Sequence, residues 1–444
     1  EDVAAKYEAL GWHTVSVDGH DHDELTAGFE EAIAATSKPS LVIARTHIGH
    51  GSPNKQDTSK AHGSPLGEDE IALTREAIGW DHPPFEVPDS VYGTFAEAME
   101  RGRDARSAWE ARRQAAFADV DVAAAWAAHH EPGHVELESP DFPEKIATRA
   151  SGGMLFDQIG DRLPGFVGGS ADLVGSTNTT LSYSDYMTAE DASGRNIAFG
   201  IREHAMGAAV HGINLHGGLR AYGATFFVFS DYMRPAVRLA ALMGTPSIWV
   251  WTHDSIFLGE DGPTHQPVEH LASLRAIPNL YVVRPADATE VLEAWELALN
   301  RTDGPTALVL TRQGLPTLDR PKGGVAKGGY VLREGSDVTL IATGSEVPLC
   351  LDAADLLAAD GVSARVVSIP CWEAFEAQDQ AYRDDVLGTA PRLSVEAGST
   401  FGWERYADAS HGLDRFGASA PAGVLAEQFG FTPEAVAAKA KALT

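Results

Sequence analysis

The string THDSIFLGEDGPTHQP (252–267) brings His253, Asp261 and His265 into one loop. Imidazoles and a carboxylate beside a Gly-Pro turn are groups that move protons or read hydroxyls. Their spacing fits no standard zinc pattern and no cysteine stands near, so acid–base or hydroxyl-binding work is expected and a metal site is not. A second string, NIAFGIREHAM (196–206), sets Glu203 at the opening of a helix. Two readings stay open there. The carboxylate either gains about 0.3–1 kcal/mol from the helix dipole, or lies buried and shares a proton with a ligand nitrogen. A third, ATFFVFSDYMRPAVRLA (224–240), clusters Phe226, Phe229 and Tyr232 at a strand–helix junction. Such rings serve as core, or as the bed of a flat heteroaromatic ligand. In GGSADLVGSTNT (168–179), which includes Ser176, hydroxyls and backbone N–H groups could hold an anion. Arg149 and Arg312 stand at element ends, and each alone reads as a surface or ion-pair residue. Ser345 in ATGSEV reads as a helix N-cap. The long polar loop at 46–67, with His62 near its end, has the length of a functional or disordered segment.

The elements that position these groups alternate between strand and helix patterns. Helix 146–159 leads to strand 165–169, strand 196–200 to helix 203–215, and strand 224–229 to a helix ending at 242. Strand 247–252 leads to the His-Asp-His loop, strand 280–284 to helix 288–299, and strand 306–311 closes the set. The pattern recurs in a smaller unit at 325–444, with strands at 337–342, 364–369 and 392–396. This is an α/β chain of parallel-sheet domains with helices on both faces. In such sheets ligands bind beyond the carboxyl ends of the strands. Residues 1–83 alternate too, and 84–140 read as a linker region with a polar helix at 94–130.

At roughly 150 residues per domain, 444 residues make about three domains. A net charge of −29 argues against nucleic-acid or anionic-membrane partners. Two cysteines give no disulfide framework, and no apolar run reaches the ~18 residues of a membrane span, so a cytoplasmic protein is expected. Residue 1 is Glu, and the opening reads as the middle of a domain.

Together, IGHGSPNK with HGSPLG, GGSADL, GIREHAM, THDSIFLGEDGPTHQPVE, LTRQ, VEAGSTFGWERY and DRFGASAPAGVLAEQFGFT resemble the transketolases from end to end of the chain. The resemblance implies a homodimer with active sites between subunits. It also implies thiamine diphosphate as cofactor, and reversible transfer of a two-carbon ketol unit from a ketose phosphate to an aldose phosphate in the pentose phosphate pathway. By resemblance, Glu203 hydrogen-bonds the aminopyrimidine ring, and Phe226, Phe229 and Tyr232 surround it. Arg149, Ser176, His253 and Arg312 match the sugar-phosphate clamp. His62 matches a histidine near both the diphosphate and the substrate's first hydroxyl, Asp261 a hydroxyl reader, and His265 a proton-transfer group near the donor carbonyl.

The implied domains are 1–83 (part of the diphosphate-binding domain), 141–320 (pyrimidine-binding) and 325–444 (C-terminal). No Gly-Asp-Gly occurs. The resemblance therefore places the ligands of the Mg2+ or Ca2+ ion, and most of the diphosphate-binding domain, before residue 1, and this chain alone is expected to be inactive. Two alternatives accompany this reading. One is a half-protein that completes a separate chain carrying the diphosphate domain. The other is a related thiamine enzyme, such as a deoxyxylulose-phosphate synthase or a dehydrogenase component.

Overall fold

Ile248-Trp-Val-Trp-Thr252 is apolar almost throughout and buried along its whole length, which is what a strand covered on both faces requires. It lies at the centre of a six-stranded sheet in a computed structural model that describes residues 1–320 and 322–444. The described chain forms two units, residues 1–115 and 116–444.

The first unit holds α1 (Val3–Ala9), β1 (His13–Asp18), α2 (His22–Ala34), β2 (Ser40–Arg45), α3 (Glu68–Ile78) and α4 (Asp89–Ala116). The two strands pair in parallel, His13 opposite Ser40 through Asp18 opposite Arg45. Asp21 caps α2 by accepting from the N–H groups of Asp23 and Glu24. The whole of α4 lacks a buried residue, in keeping with its polar sequence.

The second unit opens with α5 (Val120–His130), β3 (Lys145–Ala147), α6 (Thr148–Gly153), α7 (Phe156–Arg162), β4 (Phe166–Ser170), α8 (Val174–Thr177) and β5 (Asn196–Ala198). It continues through α9 (Glu203–His216), β6 (Arg220–Phe226), α10 (Ser230–Leu242), β7 (Ile248–Thr252), α11 (His270–Arg275), β8 (Tyr281–Val283), α12 (Ala288–Asn300), β9 (Thr306–Leu310) and β10 (Gly314–Pro316). The sheet order is β5-β4-β6-β7-β9-β8, all parallel. Helices cover both faces. One buried cluster joins Phe156, Phe166, Tyr222 and Trp295; the other joins Met206, Met233, Trp249 and Trp251.

The remaining elements are β11 (Tyr330–Arg333), β12 (Val338–Ala342), α13 (Glu346–Ala359), β13 (Ala364–Ser368), α14 (Trp372–Glu376), α15 (Gln380–Leu387), β14 (Arg392–Val395), β15 (Ala409–His411), α16 (Ala422–Phe429) and α17 (Pro433–Lys441). They build a five-stranded sheet, β11-β13-β12-β14-β15, with only β11 antiparallel. The expected α/β architecture is thus present. No helix among the described residues is long and apolar enough to cross a membrane.

Three element readings need correction. The helix expected at 146–159 is strand β3 followed by two short helices, because Thr148 bonds across to Thr311 and breaks the run. The strand expected at 224–229 runs from Arg220 to Phe226, paired on both sides by β4 and β7. The helix expected at 94–130 is two helices, α4 and α5, separated where Asp119 caps the second.

The six-stranded and five-stranded sheets of the second unit are joined by buried charge. Arg284 is fully buried and donates to Asp254 on one side and to Glu346 and the Thr343 carbonyl on the other. Arg275 reaches Glu396 with both terminal nitrogens at 2.8 Å, while its guanidinium lies 4.1 Å from the Trp372 ring centroid. Glu396 also accepts from Thr343 and from the Trp403 indole N–H. Its carboxyl is held at about 2, against the upward push of burial, by Arg275 and then Arg284.

Candidate active site

The carboxyl ends of β6 and β7 lie side by side, Phe226 opposite Thr252, and the next residue after Thr252 is His253. His253 takes φ +64°, which turns its ring back over the sheet end. There it stacks on Phe226 with ring centroids 3.7 Å apart. Phe226 stacks on Phe229 at 5.8 Å with planes 10° apart, and Phe229 meets Tyr232 at 5.8 Å and His265 edge-on at 5.5 Å. Five of the expected residues therefore form one chain of rings. Phe226 is buried and Phe229 half-buried, yet Tyr232 is 65% exposed, so the cluster reaches from core to surface.

His253 is 3% exposed. Burial, then the charges of Arg149, Arg312 and His265, lower its pKa to about 3. It is therefore neutral across the physiological range and offers a hydrogen bond without a charge. Its Nδ1 lies 2.9 Å from the Thr252 hydroxyl.

The two arginines are brought together by their neighbours. Thr148 and Thr311 are buried; each side-chain oxygen accepts from the other's backbone N–H, at 2.6 and 3.0 Å. Arg149 and Arg312 follow them directly. Arg149 donates to the Ser176 carbonyl and Arg312 to the Leu258 carbonyl. Burial and then the charge of Arg312 push the Arg149 pKa below its usual value. Reading each as an ion-pair residue is corrected: among the described residues, neither has a carboxylate partner. Two guanidiniums without counter-charge among the described residues, one of them half-buried, form a ready anion site. The paired Thr-Arg dipeptides were the overlooked signal, and Thr148 and Thr311 the overlooked residues.

Glu203 is the first residue of α9, which packs against α10 at Gly207, Met233 and Ala236. Its residue is 8% exposed, and no hydrogen bond or ion pair engages its carboxylate among the described residues. A carboxylate left without a partner at the opening of a helix, on a largely buried residue, is free to take a ligand's hydrogen bond. This favours the ligand-nitrogen reading over the dipole one. Asp261 is exposed in the same loop as His265, and Ser176 is half-buried in α8. His62 is exposed at the end of a turn, Ser59–Ala61, in the first unit. Ser345 occupies the N-cap position of α13 but makes no cap bond; its hydroxyl donates to Glu346.

The parallel ring pair Phe226–Phe229, with the unpartnered carboxylate of Glu203 opening α9, the helix packed on α10, fits the pyrimidine half of thiamine diphosphate. A flat ring needs an apolar face, and its ring nitrogen needs an acceptor or a shared proton.

Comparison with known proteins agrees. A family model described as the transketolase pyrimidine binding domain matches residues 144–317, and the transketolase-like C-terminal domain matches 328–432. The transketolase thiamine diphosphate binding domain matches 1–130. That last match corrects the expectation that this chain lacks most of its diphosphate-binding domain. A transketolase of Cereibacter sphaeroides is 51% identical over 460 residues, covering 99% of this chain and 69% of its own length. Among solved structures, a transketolase from Leishmania mexicana superposes with a TM-score of 0.94 at 40% identity, covering 100% of this chain and 68% of that one. A Pichia stipitis transketolase in complex with sedoheptulose-7-phosphate does so with the same TM-score at 39% identity and the same coverage. The half-protein alternative finds no support in these alignments, which run through all three domains, and nothing in them marks the chain as inactive alone. The related-enzyme alternative falls with them. The chain belongs to the transketolase family, thiamine-diphosphate enzymes that transfer two-carbon ketol units between sugar phosphates.

Proposed function

We propose that this chain performs that ketol transfer with the residues just described, in a homodimer whose active sites lie between subunits, and with Mg2+ or Ca2+ accompanying the diphosphate. The observation that carries the reading is the stack of Phe229, Phe226 and His253 at the sheet end, with Arg149 and Arg312 close enough to act on His253 and no carboxylate paired with either among the described residues. Thiamine diphosphate supplies the electron sink for cleaving the carbon–carbon bond beside a ketose carbonyl. The protein supplies orientation and proton control. Glu203 holds a proton at the pyrimidine nitrogen, and Phe226, Phe229 and Tyr232 fix the ring plane. Arg149 and Arg312 grip the substrate phosphate, helped by Ser176 and by neutral His253, which adds a hydrogen bond and no charge. Asp261 reads a substrate hydroxyl; His265 and His62 exchange protons with substrate oxygens. The substrates are sugar phosphates, the setting is cytoplasmic, and the domain divisions fall near 140 and 320.

The test is Glu203→Gln. The amide keeps the size and loses the proton acceptor, so turnover should fall by about 10²–10⁴-fold. Thiamine diphosphate affinity, titrated calorimetrically with Mg2+ present, should change only modestly. Turnover equal to the wild type would remove Glu203 from the mechanism.

A further inference from the structure

We propose that the C-terminal region is a positioning element of the active site, with segment 417–419 acting through Gln266 to hold the loop that carries Asp261 and His265. This rests on the reading of that loop as substrate-facing.

Gln266 is 2% exposed. The two hydrogens of its amide nitrogen are shared among three carbonyls within hydrogen-bond distance: Ile256 at 3.2 Å, Gly259 at 3.0 Å and Ala418 at 2.9 Å. The first two lie at the start of the loop, and the third belongs to the C-terminal region. The Ser419 hydroxyl adds a bond to the Glu260 carbonyl. Gly259 meets this clamp at φ +94° and ψ −123°, a conformation that suits glycine alone. Behind the clamp, Ile256, Phe257 and Val268 share a buried cluster with Leu413 and Phe431, Phe257 meeting Phe431 edge-on at 5.7 Å.

The fit is close on both sides. A Cβ at Gly417 would fall 1.8 Å from Gln266 Oε1. That oxygen is itself buried without a hydrogen-bond partner. An unsatisfied buried acceptor works against stability, so stability alone is a poor reason for a glutamine here. A reason that fits is geometric. The loop is anchored at Gly259–Glu260 and again at Gln266, and His265 is the immediate neighbour of the second anchor. Displacing Gln266 displaces His265.

The experiment compares Gln266→Met, Gln266→Glu and Ser419→Ala with the wild type, with His265→Ala as the control for the loop's role. Misplacing a reacting group by an ångström costs on the order of 10²-fold, and that loss of kcat is expected for Gln266→Met with thiamine diphosphate affinity and unfolding midpoint retained. Ser419→Ala, an exposed and mild change, should lower kcat less and in the same direction. Gln266→Glu should recover activity relative to the wild type as the pH falls, because a protonated carboxyl donates a bond that a carboxylate cannot; a purely structural side chain would give no such profile in kcat. Wild-type kcat in both Gln266→Met and Ser419→Ala, with His265→Ala inactive, overturns the clamp and leaves the site reading intact. Losses that only track the unfolded fraction overturn it as well. Full turnover in His265→Ala removes the loop's role, and the clamp with it. Should Gln266→Met fail to fold, Ser419→Ala decides.

Discussion

Replacing His253 by Asn should remove an acid sensitivity from the fold. Burial and then the neighbouring Arg149 and Arg312 hold the folded imidazole at about 3, against an ordinary 6.5. The unfolded chain therefore binds a proton that the folded chain refuses. The contribution is nil well above pH 6.5, and stability is lost progressively as the pH falls from there toward 3. At pH 5 the unfolded imidazole is almost wholly protonated and the folded one almost wholly neutral, which gives a loss of ~2 kcal/mol relative to pH 8. Asn is the informative replacement, since residue 253 sits at φ +64° and Asn tolerates the left-handed region. The assay is urea unfolding of both proteins at pH 8 and pH 5, followed by the fluorescence of buried Trp249 and Trp251. The wild type should lose ~2 kcal/mol more than the variant between the two pH values, while other titrating groups cancel in the difference. Parallel losses would mean that His253 is solvated or protonated in the fold, and the argument for a neutral phosphate ligand would fail.

Arg312→Ala removes one charged hydrogen-bonding partner of the substrate phosphate, worth ~1.5–3 kcal/mol, so KM for phosphorylated donors should rise roughly 10- to 100-fold. Unphosphorylated donors should be spared, and steady-state kinetics with both kinds of donor would expose an equal effect. Arg284→Met strands Asp254 and Glu346 as uncompensated buried charges, and breaking such a set costs ~3–5 kcal/mol, visible as a lowered urea midpoint. An unchanged midpoint would mean that the network adds no net stability to the fold.

Much of the sheet was legible because a strand covered on both faces needs an unbroken apolar run, and β7 and β12 have one. The start of α9 was legible for a local reason too, a helix pattern beginning at a carboxylate. The edges of β6 were not. Arg220 and Gly223 look like turn residues, but β6 pairs with β4 over residues 220–224 and with β7 over residues 222–226, and Tyr222 is buried with its hydroxyl on the Thr179 carbonyl. The candidate site divides the same way. His253, Asp261 and His265 share one loop in the sequence and in space. The pairing of Arg149 with Arg312 depends on a bond between threonines 163 positions apart, which no local pattern announces. The neutrality of His253 was hidden for the same reason, since burial belongs to the fold and not to the residue.

The buried ion network of Arg275, Arg284, Asp254, Glu346 and Glu396 bears on how the molecule comes apart. Charges shared between two sheets tie the melting of each to the other, because opening the seam exposes one partner only by stranding the rest without water or counter-charge. Residues 141–444 should therefore behave as a single cooperative block, giving one calorimetric transition in which neither sheet outlives its neighbour.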